Sequence, residues 1–307
     1  PGSGNYSGGG ICYNGYMWVG VFNGVQNGNI VTRIYNSYDG YTWSSTSSSS
    51  VDFVPASGYS RLYWNGVAWD GNMWVTCGYP ADAVFGLNNI MYSYDGYNWN
   101  TPASFDFSTY TNAVAGFAGH DIANNGHMWV SVGRTVTTSA VIYSYNGIKW
   151  YSGVFQDVSG QTGDSLDSIA SANGRIWVAA GSYAIYYSYN GITWKRGLYN
   201  ASYNFHSVSW NGTKWICLGT LTTGTTPILY SSTDGVSWSV ISTNLSTFNL
   251  STLYYKIQWN TNLTAWYMSS SGALLSSSDG STWYQISDPF NTGTFYPCIN
   301  FGVNNVG

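Results

Sequence analysis

The 307-residue sequence contains no glutamate, and only 7% of its residues are charged, against roughly a quarter in an ordinary soluble protein. Its nine lysines and arginines are scattered and its net charge is −4, so it offers no basic stripe for nucleic acid. No apolar run approaches the ~20 residues that a membrane-spanning helix needs. These absences argue against a nucleic-acid partner and against membrane insertion.

Cysteine is also scarce, with four residues that show neither CxxC nor Cys/His ligand spacing. Zinc sites normally use such spacings, so neither a metal nor another cofactor is expected. Buried free thiols are the ordinary interpretation. Cys12 and Cys298 lie near opposite ends of the chain and are the one pair for which a disulfide is considered.

Aromatic residues are abundant, at 18% of the chain, and a tryptophan closes a heptapeptide that recurs six times. Each copy contains an Asp-Gly or Asn-Gly pair and predicts a β-hairpin whose turn takes positive φ at both central residues. The copies are SYDGYTW (37–43), SYDGYNW (93–99), SYNGIKW (144–150), SYNGITW (188–194), STDGVSW (232–238) and SSDGSTW (277–283).

A second motif precedes each heptapeptide: a turn Asn or Asp, followed four residues later by a tryptophan that opens an apolar strand. Five copies share this spacing, and the sixth has two additional residues. They are NGYMWVGVF (14–22), DGNMWVTCG (70–78), NGHMWVSVG (125–133), NGRIWVAAG (173–181), NGTKWICLG (211–219) and NTNLTAWYMS (260–269). One repeat is therefore four strands joined by a tight turn, a loop and a second tight turn.

Six repeats of four antiparallel strands predict an all-β fold, a six-bladed β-propeller. Closure into a ring removes the exposed sheet edges that would otherwise invite aggregation. A solenoid is less consistent, because these repeats carry tight hairpins and no polar caps. Residues 1–4 lack an initiator Met and are interpreted as a cloning or cleavage remnant, and residues 5–307 as one propeller domain.

The heptapeptides resemble the Asp-box, or BNR, repeats of sialidase-like propellers, whose pattern is Ser-x-Asp-x-Gly-x-x-Trp. Here the glycine follows the aspartate directly, and Asn146 and Asn190 replace the aspartate in the third and fourth copies. The resemblance spans nearly the whole chain. It implies a fold rather than an activity, because such repeats occur in enzymes, lectins and adhesive virion proteins.

A structural role is assigned to the turn residue of each heptapeptide, because a short acceptor there can bind backbone N–H groups of its own turn. These residues are Asp39, Asp95, Asn146, Asn190, Asp234 and Asp279. The closing tryptophans are expected in equivalent buried positions between blades. They are Trp43, Trp99, Trp150, Trp194, Trp238 and Trp283.

Candidate ligand-binding residues lie in the first strand of the later repeats. Aligning the repeats on the turn Asn or Asp places His120, Ser168 and His206 in equivalent positions, with Asp121 and Asp167 one residue away. Lys256 is equivalent to Asp121 in repeat six. The tight turns share one face, so these residues are expected at the channel mouth on the opposite, long-loop face. A polar channel lining is their ordinary interpretation.

Sialidase activity would, by the resemblance, need an arginine triad, a Tyr nucleophile activated by Glu, and an Asp acid/base. The chain has no Glu and its arginines are scattered in repeat position, so no catalytic residue is assigned. A glycoside hydrolase or degenerate sialidase-like enzyme is the first alternative, using Asp164 with Asp167 or Asp106 with Asp121. A scaffold domain of a larger protein is the second.

We favour a non-enzymatic binding or structural propeller on an extracellular or virion surface that recognises a glycan or a protein receptor. Scarce charge and abundant Tyr, Asn, Ser and Gly favour this interpretation, because Tyr makes large amphipathic contacts at low entropic cost. Tyr38, Tyr94, Tyr145 and Tyr189 precede the turns of the first four repeats, which makes the hairpin tips a second candidate surface.

The β-prone segment 295–303, FYPCINFGV, follows the sixth hairpin and is surplus to six blades. We expect it to return to the first repeat around Gly10 to Tyr13 and to close the ring. That return would bring Cys298 near Cys12, where a disulfide requires Cα atoms within ~4.4–6.8 Å.

Overall fold

A computed structural model describes most of the chain, and the described residues form an all-β protein with one 3₁₀ turn, Leu245–Thr247. The described ranges are 6–26, 29–45, 62–80, 89–102, 104–106, 117–135, 138–156, 165–172, 174–248, 250–271 and 273–286. Within them, no helix is long and apolar enough to cross a membrane.

The first three repeats each give an antiparallel sheet. Repeat one gives β1 (Tyr6–Tyr13), β2 (Trp18–Gln26), β3 (Asn29–Ser37) and β4 (Ser44–Ser45), paired in that order. Repeat two gives β5 (Leu62–Trp69), β6 (Trp74–Pro80) and β7 (Ile90–Ser93). Repeat three gives β9 (Ala118–Asn124), β10 (Trp129–Arg134), β11 (Ser139–Ser144) and β12 (Lys149–Ser152), with β8 (Ser104–Asp106) added parallel to β12.

Repeats four and five share one sheet because a single long strand serves both. Repeat four gives β13 (Val154–Phe155), β14 (Leu166–Ala172) and β15 (Ile176–Ser188), and the shared strand is β16 (Thr193–Trp210). Repeat five continues with β17 (Trp215–Leu221), β18 (Pro227–Ser232) and β19 (Ser239–Val240). Repeat six is again a four-stranded sheet of β20 (Ser251–Asn260), β21 (Ala265–Ser271), β22 (Ala273–Ser277) and β23 (Tyr284–Ile286).

The six heptapeptides form turns with one hydrogen-bond pattern, and we call them tip turns. In the second, Asp95 Oδ1 accepts bonds from the backbone N–H groups of Tyr97 (2.8 Å) and Asn98 (2.7 Å), and Ser93 Oγ accepts from Gly96. Gly96 has φ of +74°, whereas Asp95 does not have positive φ. The expectation of positive φ at both central residues is therefore wrong, because the side-chain acceptor closes a longer turn.

Asparagine builds the same turn in repeats three and four. Asn146 Oδ1 accepts from Ile148 (3.0 Å) and Lys149 (2.9 Å), and Asn190 Oδ1 accepts in the same way from the two residues that follow its glycine. A carboxylate is therefore not needed for this geometry. The first turn of repeat one also uses an acceptor side chain, since Asn14 Oδ1 accepts from the N–H groups two and three residues later.

Replacing Asp95 with alanine is expected to lower the free energy of unfolding by about 1 kcal/mol, the usual net value of such hydrogen bonds. Asp95→Asn is the matched control and should retain nearly wild-type stability, because Asn146 already makes this turn. Urea unfolding of the three proteins measures the difference. Equal midpoints for the alanine and asparagine variants would contradict a structural role for the acceptor.

Acid is expected to weaken the Asp tip turns but not the Asn tip turns. Burial opposes ionisation of Asp95, but bonds from Asn98, Tyr97 and Ser93 bring its pKa down to about 2. The folded state therefore binds a proton less readily than the unfolded state, whose Asp pKa is ~3.9. This stabilisation is complete above that value and is lost as pH falls toward about 2.

The pKa values of Asp39, Asp234 and Asp279 are also lowered, so acid is expected to weaken their tip turns in the same way. Thermal unfolding of the wild type and of Asp95→Asn between pH 5 and pH 2 measures the effect. The variant should lose less stability over this interval, because its turn no longer titrates. Parallel melting curves at every pH would contradict the assignment.

Among the described residues, five apolar clusters form the core, one at each junction between consecutive repeats. At the junction of repeats three and four, Val130, Val132 and Val141 pack against Trp177 and Trp194. The alternation of each strand thus serves two junctions, since one face meets the preceding repeat and the other meets the following one.

The closing tryptophans are not equally buried. Trp99, Trp150, Trp194 and Trp283 are buried, but Trp43 and Trp238 are partly exposed, which corrects the expectation of equivalent burial. Trp238 lies at the margin of its cluster, and Trp43 belongs to none of the five clusters. How deeply a closing tryptophan is buried therefore depends on the neighbouring repeat as well as on the motif.

Cys12 is a free thiol in the core between repeats one and two, and burial raises its pKa to about 12. The Cys12–Cys298 disulfide considered from the sequence is not supported, because the free Cys12 side chain packs on the face of β1 toward repeat two. Cys298 and the segment 295–303 lie outside the described residues. The return of that segment to repeat one stays a prediction.

Candidate ligand-binding site

We call the first strand of each repeat its inner strand. The inner strands of repeats two to five carry a β-bulge at the same position. In β9, Asp121 pairs with Val132 and Gly119 pairs with Gly133, so the residue between them is unpaired. The corresponding register shifts occur in β5, β14 and β16. The unpaired residues are Asn65, His120, Asp167 and His206. Bulges re-aim such side chains, so these four form a row across repeats two to five.

This row corrects the alignment of repeat four. Asp167 occupies the position of His120 and His206, whereas Ser168 occupies the position of Asp121. In the first hairpin of repeat four the stretch between equivalent paired positions is one residue longer, since Ser171 pairs with Trp177 whereas Asn124 pairs with Trp129. Alignment on the turn Asn therefore misplaces the first strand of this repeat by one residue.

The centre of the row is a compact polar cluster of His120, Asp167 and Ser165. His120 Nδ1 lies 3.1 Å from Asp167 Oδ1 and 2.9 Å from Ser165 Oγ. Ser165 Oγ also donates to Asp167 Oδ1 at 2.8 Å. All three side chains therefore meet around one ring nitrogen and one carboxylate oxygen.

This arrangement differs from a serine-hydrolase triad. A triad needs the serine at one imidazole nitrogen and the aspartate at the other, so that the proton can pass through the ring. Here Ser165 and Asp167 approach the same nitrogen of His120. The cluster can orient the histidine and hold a polar ligand, but it does not have the geometry to activate Ser165.

His206 extends the row on the other side of Asp167. Its Nδ1 lies 4.0 Å from Asp167 Oδ2, and its Nε2 lies 2.9 Å from Thr220 Oγ1. Burial lowers the pKa of His206, although the charge of Asp167 opposes this effect. His206 is therefore a neutral donor or acceptor at pH 7.

Asp167 stays ionised despite its surroundings. Burial tends to raise its pKa, but the hydrogen bond and charge of His120 and the bond from Ser165 outweigh burial, so its pKa is lowered. A carboxylate between two imidazoles is a site where a ligand hydroxyl or amide group could bind.

One residue further along the strands, polar side chains join neighbouring repeats to one another. Asp121 Oδ2 accepts from the backbone N–H of Ile169 at 3.0 Å, and Ser168 Oγ accepts from that of Val208 at 3.3 Å. Lys256 Nζ lies 4.0 Å from Asp121 Oδ2. Asp121 and Ser168, predicted as ligand-binding residues, thus already serve to connect inner strands.

A cavity of about 200 Å³ lies among the inner strands, and all six repeats contribute to its wall. Asn65, Asp121, Ser168 and Lys256 line the part next to the bulges, while Trp69 and other residues line the part nearer the tight turns. His120, Asp167 and His206 lie outside this lining, on its long-loop side. The cavity and the row of bulge residues together form a polar channel mouth.

The described residues show no metal site, and they do not support one of the two carboxylate pairs considered for glycoside hydrolysis. The described residues contain no group of three His, Cys or acidic residues arranged to hold a metal ion. Asp106 and Asp121 lie in β8 and β9, the opposite edges of a five-stranded sheet. Four strand spacings separate them by ~19 Å, beyond the ~9.5 Å that glycoside hydrolysis allows. Asp164 lies outside the described residues.

Two members of the site are not among the sequence candidates. Asn65 occupies the bulge of β5, and its Nδ2 donates to Gly119 O at 2.9 Å. Ser165 precedes its strand and contacts both His120 and Asp167. The available sequence signal was the glycine that ends WVSVG (129–133), WVAAG (177–181) and WICLG (215–219), because a Cβ there would meet the backbone beside the bulge.

The hairpin tips carry a separate exposed aromatic group. Tyr38, Tyr94, Tyr145 and Tyr189 are all exposed. Tyr94, Tyr145 and Tyr189 each stand edge-on to the tyrosine two residues earlier, and Tyr38 Oη lies 2.7 Å from Tyr97 Oη. These tips lie at the end of the blades opposite the channel mouth.

No protein-family model matches the chain, and no curated protein matches it in sequence. Solved structures match it in fold. The propeller domain of the trilobed protease from Pyrococcus furiosus has a TM-score of 0.50 at 11% identity, covering 92% of this chain and 83% of that one. Oligogalacturonate lyase in complex with manganese has a TM-score of 0.54 at 9% identity, covering 95% and 80%.

YjhT is also similar, with a TM-score of 0.54 at 9% identity, covering 92% of this chain and 97% of that one. The chain spans about half the length of some other matches, such as 46% of the Pyrococcus horikoshii acylaminoacyl peptidase and 57% of a chain in a nidogen–laminin complex. Together with the repeated antiparallel sheets, the likenesses to the trilobed protease domain, YjhT and oligogalacturonate lyase identify a β-propeller fold.

Proposed function

We propose that this chain is a six-bladed β-propeller that binds a glycan or a protein receptor at its long-loop channel mouth, without catalysing a reaction on it. The binding residues are His120, Asp167, His206 and Lys256, supported by Asn65 and Ser165. The proposed location is an extracellular or virion surface, which the scarcity of charge and the abundance of Tyr, Asn and Ser favour.

The observation that carries this proposal is the row of four bulges in consecutive repeats. Each bulge interrupts regular pairing to present one polar side chain, and bulges are concentrated next to functional sites. Three of the four residues are His or Asp, in a chain with only three histidines.

Six blades are supported by six copies of both motifs and by the contribution of six repeats to one cavity wall. A binding role, rather than an enzymatic one, is supported by the shared Nδ1 contact of Ser165 and Asp167 and by the wide separation of Asp106 and Asp121. The structural neighbours include enzymes, but their similarity concerns the fold alone.

A glycan array and a panel of chromogenic glycosides, both applied to the full chain, test the proposal. The expected result is retention on a defined set of glycans with no release of chromophore. Turnover that disappears in Asp167→Asn would overturn the non-enzymatic assignment. Failure to retain any array glycan would leave the protein receptor as the proposed class, which pull-down with biotinylated chain from surface-labelled cells then tests.

A further inference from the structure

Tyr183 has a backbone conformation that bulky residues rarely adopt. Its φ is +61°, and among the described residues only Thr264, with φ of +47°, also has a positive φ without being a glycine. A large side chain at positive φ strains the backbone, and residues strained in this way cluster at binding and catalytic sites. Glycine would make the same turn without strain. The turn alone therefore does not account for a tyrosine at this position.

Tyr183 lies at the long-loop end of repeat four. The second and third strands of this repeat belong to one element, β15, whereas they are separate strands in every other repeat. Because both tight turns of repeat four lie on the opposite face, the chain must reach the long-loop face and return within β15. Ser182 and Tyr183 lie midway between Trp177 and Ser188 in the sequence, where this return occurs.

Two hydrogen bonds connect the residue before Tyr183 to the candidate site. The N–H of Ser182 donates to Ser165 O at 2.8 Å, and the N–H of Ser165 donates to Ser182 Oγ at 3.4 Å. Ser165 Oγ in turn contacts His120 Nδ1 and Asp167 Oδ1. Tyr183 is therefore one residue away from the backbone that positions the centre of the row.

The neighbouring strand places Tyr183 close to His206 as well. Ser182 pairs with Asn204, which is two residues before His206 on β16. The residue before Tyr183 is thus bonded to the Asp167 side of the site and paired with the His206 side. Tyr183 is itself partly exposed, so a ligand in the channel mouth can reach it.

Asp167 keeps one acceptor atom available beside Tyr183. Its Oδ1 accepts from Ser165 Oγ at 2.8 Å and lies 3.1 Å from His120 Nδ1. Its Oδ2 lies 4.0 Å from His206 Nδ1, which is beyond hydrogen-bond distance. A ligand hydroxyl can therefore donate to Oδ2. A hydroxyl acceptor beside an aromatic residue suits a sugar, because a sugar ring has both hydroxyl groups and an apolar C–H face.

We propose that Tyr183 is the aromatic contact of the channel mouth and stacks on the C–H face of a pyranose ring whose hydroxyl donates to Asp167 Oδ2. This inference rests on the proposed function, and it selects a glycan rather than a protein receptor as the ligand. A tyrosine offers a large contact area and loses little conformational freedom on binding. That advantage accounts for a strained tyrosine where a turn would ordinarily have glycine.

Affinity and melting temperature of Tyr183 variants in the full chain test the proposal. Asparagine tolerates positive φ, so Tyr183→Asn removes the ring and keeps the backbone. We expect it to bind the array glycan that the wild type retains most strongly at least tenfold more weakly, with a melting temperature no lower than that of the wild type. Tyr183→Phe keeps the ring and should bind within about threefold of the wild type.

Thr264→Asn is the matched control, because Thr264 is the other described non-glycine residue with positive φ and lies in the first turn of repeat six, on the opposite face. Its affinity should equal that of the wild type. A much lower melting temperature in Tyr183→Asn would overturn the proposal, since Tyr183 would then be a packing residue. Equal losses of affinity in Tyr183→Phe and Tyr183→Asn would assign the contact to the hydroxyl group and contradict stacking.

His206→Ala separates failure of this inference from failure of the proposed function. Wild-type affinity in Tyr183→Asn with a loss in His206→Ala would overturn the role of Tyr183 alone. Wild-type affinity in both variants would overturn the channel mouth as the binding site as well. Retention of no array glycan would overturn the inference and leave the protein receptor as the proposed ligand.

Discussion

Replacing Trp150 with alanine is expected to lower the free energy of unfolding by about 3–5 kcal/mol, the usual range for a large aromatic residue removed from a core. Trp150 is fully buried, and its Nε1 donates to Gly147 O at 2.9 Å. It packs with Val75, Ile122 and Trp129 at the junction of repeats two and three. The substitution therefore leaves a cavity and an unpaired carbonyl at once.

Trp43→Ala is the matched control, because Trp43 closes the same motif but is partly exposed. It should cost about 1 kcal/mol, since less apolar area leaves water at that position on folding. Guanidinium unfolding, monitored by circular dichroism, measures both variants. Equal losses would contradict the conclusion that the neighbouring repeat, as well as the motif, determines how deeply each tryptophan is buried.

Replacing Gly181 with alanine is expected to destabilise the protein by at least about 2 kcal/mol and to disturb the candidate site as well. A methyl group there would overlap the carbonyl oxygen of Ser165 and lie 2.7 Å from Leu166 Cα. Both are backbone atoms, which cannot move aside as a flexible side chain can, so the added group strains the bulge. Ser165 would shift, and with it the contacts to His120 and Asp167.

Gly224→Ala is the control for this substitution, because the nearest atom to a methyl group there is Leu221 Cβ at 3.9 Å. Its stability should stay within about 0.5 kcal/mol of the wild type, as for most surface changes. The two melting temperatures give the comparison. Wild-type stability in Gly181→Ala would mean that the bulge of repeat four is not as closely packed as the geometry indicates.

Much of the fold could be predicted from the sequence because local chemistry determines it. Asp-Gly and Asn-Gly pairs followed by tryptophan define where strands end, and their repetition defines the unit. The apolar run that follows each first turn, such as the one that begins at Trp129, then places the core. The bonds from backbone N–H groups to Asp95 and its counterparts were also predicted, but the φ angles of the turn were not, since only its glycine has positive φ.

The candidate site was harder to predict because it depends on register. Sequence alignment brought His120 and His206 together, but one extra residue in the first hairpin of repeat four puts Asp167, rather than Ser168, in the equivalent bulge position between them. Ser165 joins the site only through the fold, since it is 45 residues from His120 in the chain. The strand propensity of the residues does not indicate where a bulge lies, whereas the glycine on the strand opposite the bulge does.

Binding of paired variants to the strongest-retained array glycan tests most directly whether the channel mouth is the ligand site. His206→Ala removes a side chain of the mouth, and Tyr145→Ser removes an exposed tyrosine at the opposite end of the blades. We predict at least a tenfold loss of affinity for His206→Ala, wild-type affinity for Tyr145→Ser, and unchanged melting temperatures for both. Wild-type affinity in His206→Ala with a loss in Tyr145→Ser would contradict this account and assign binding to the hairpin tips.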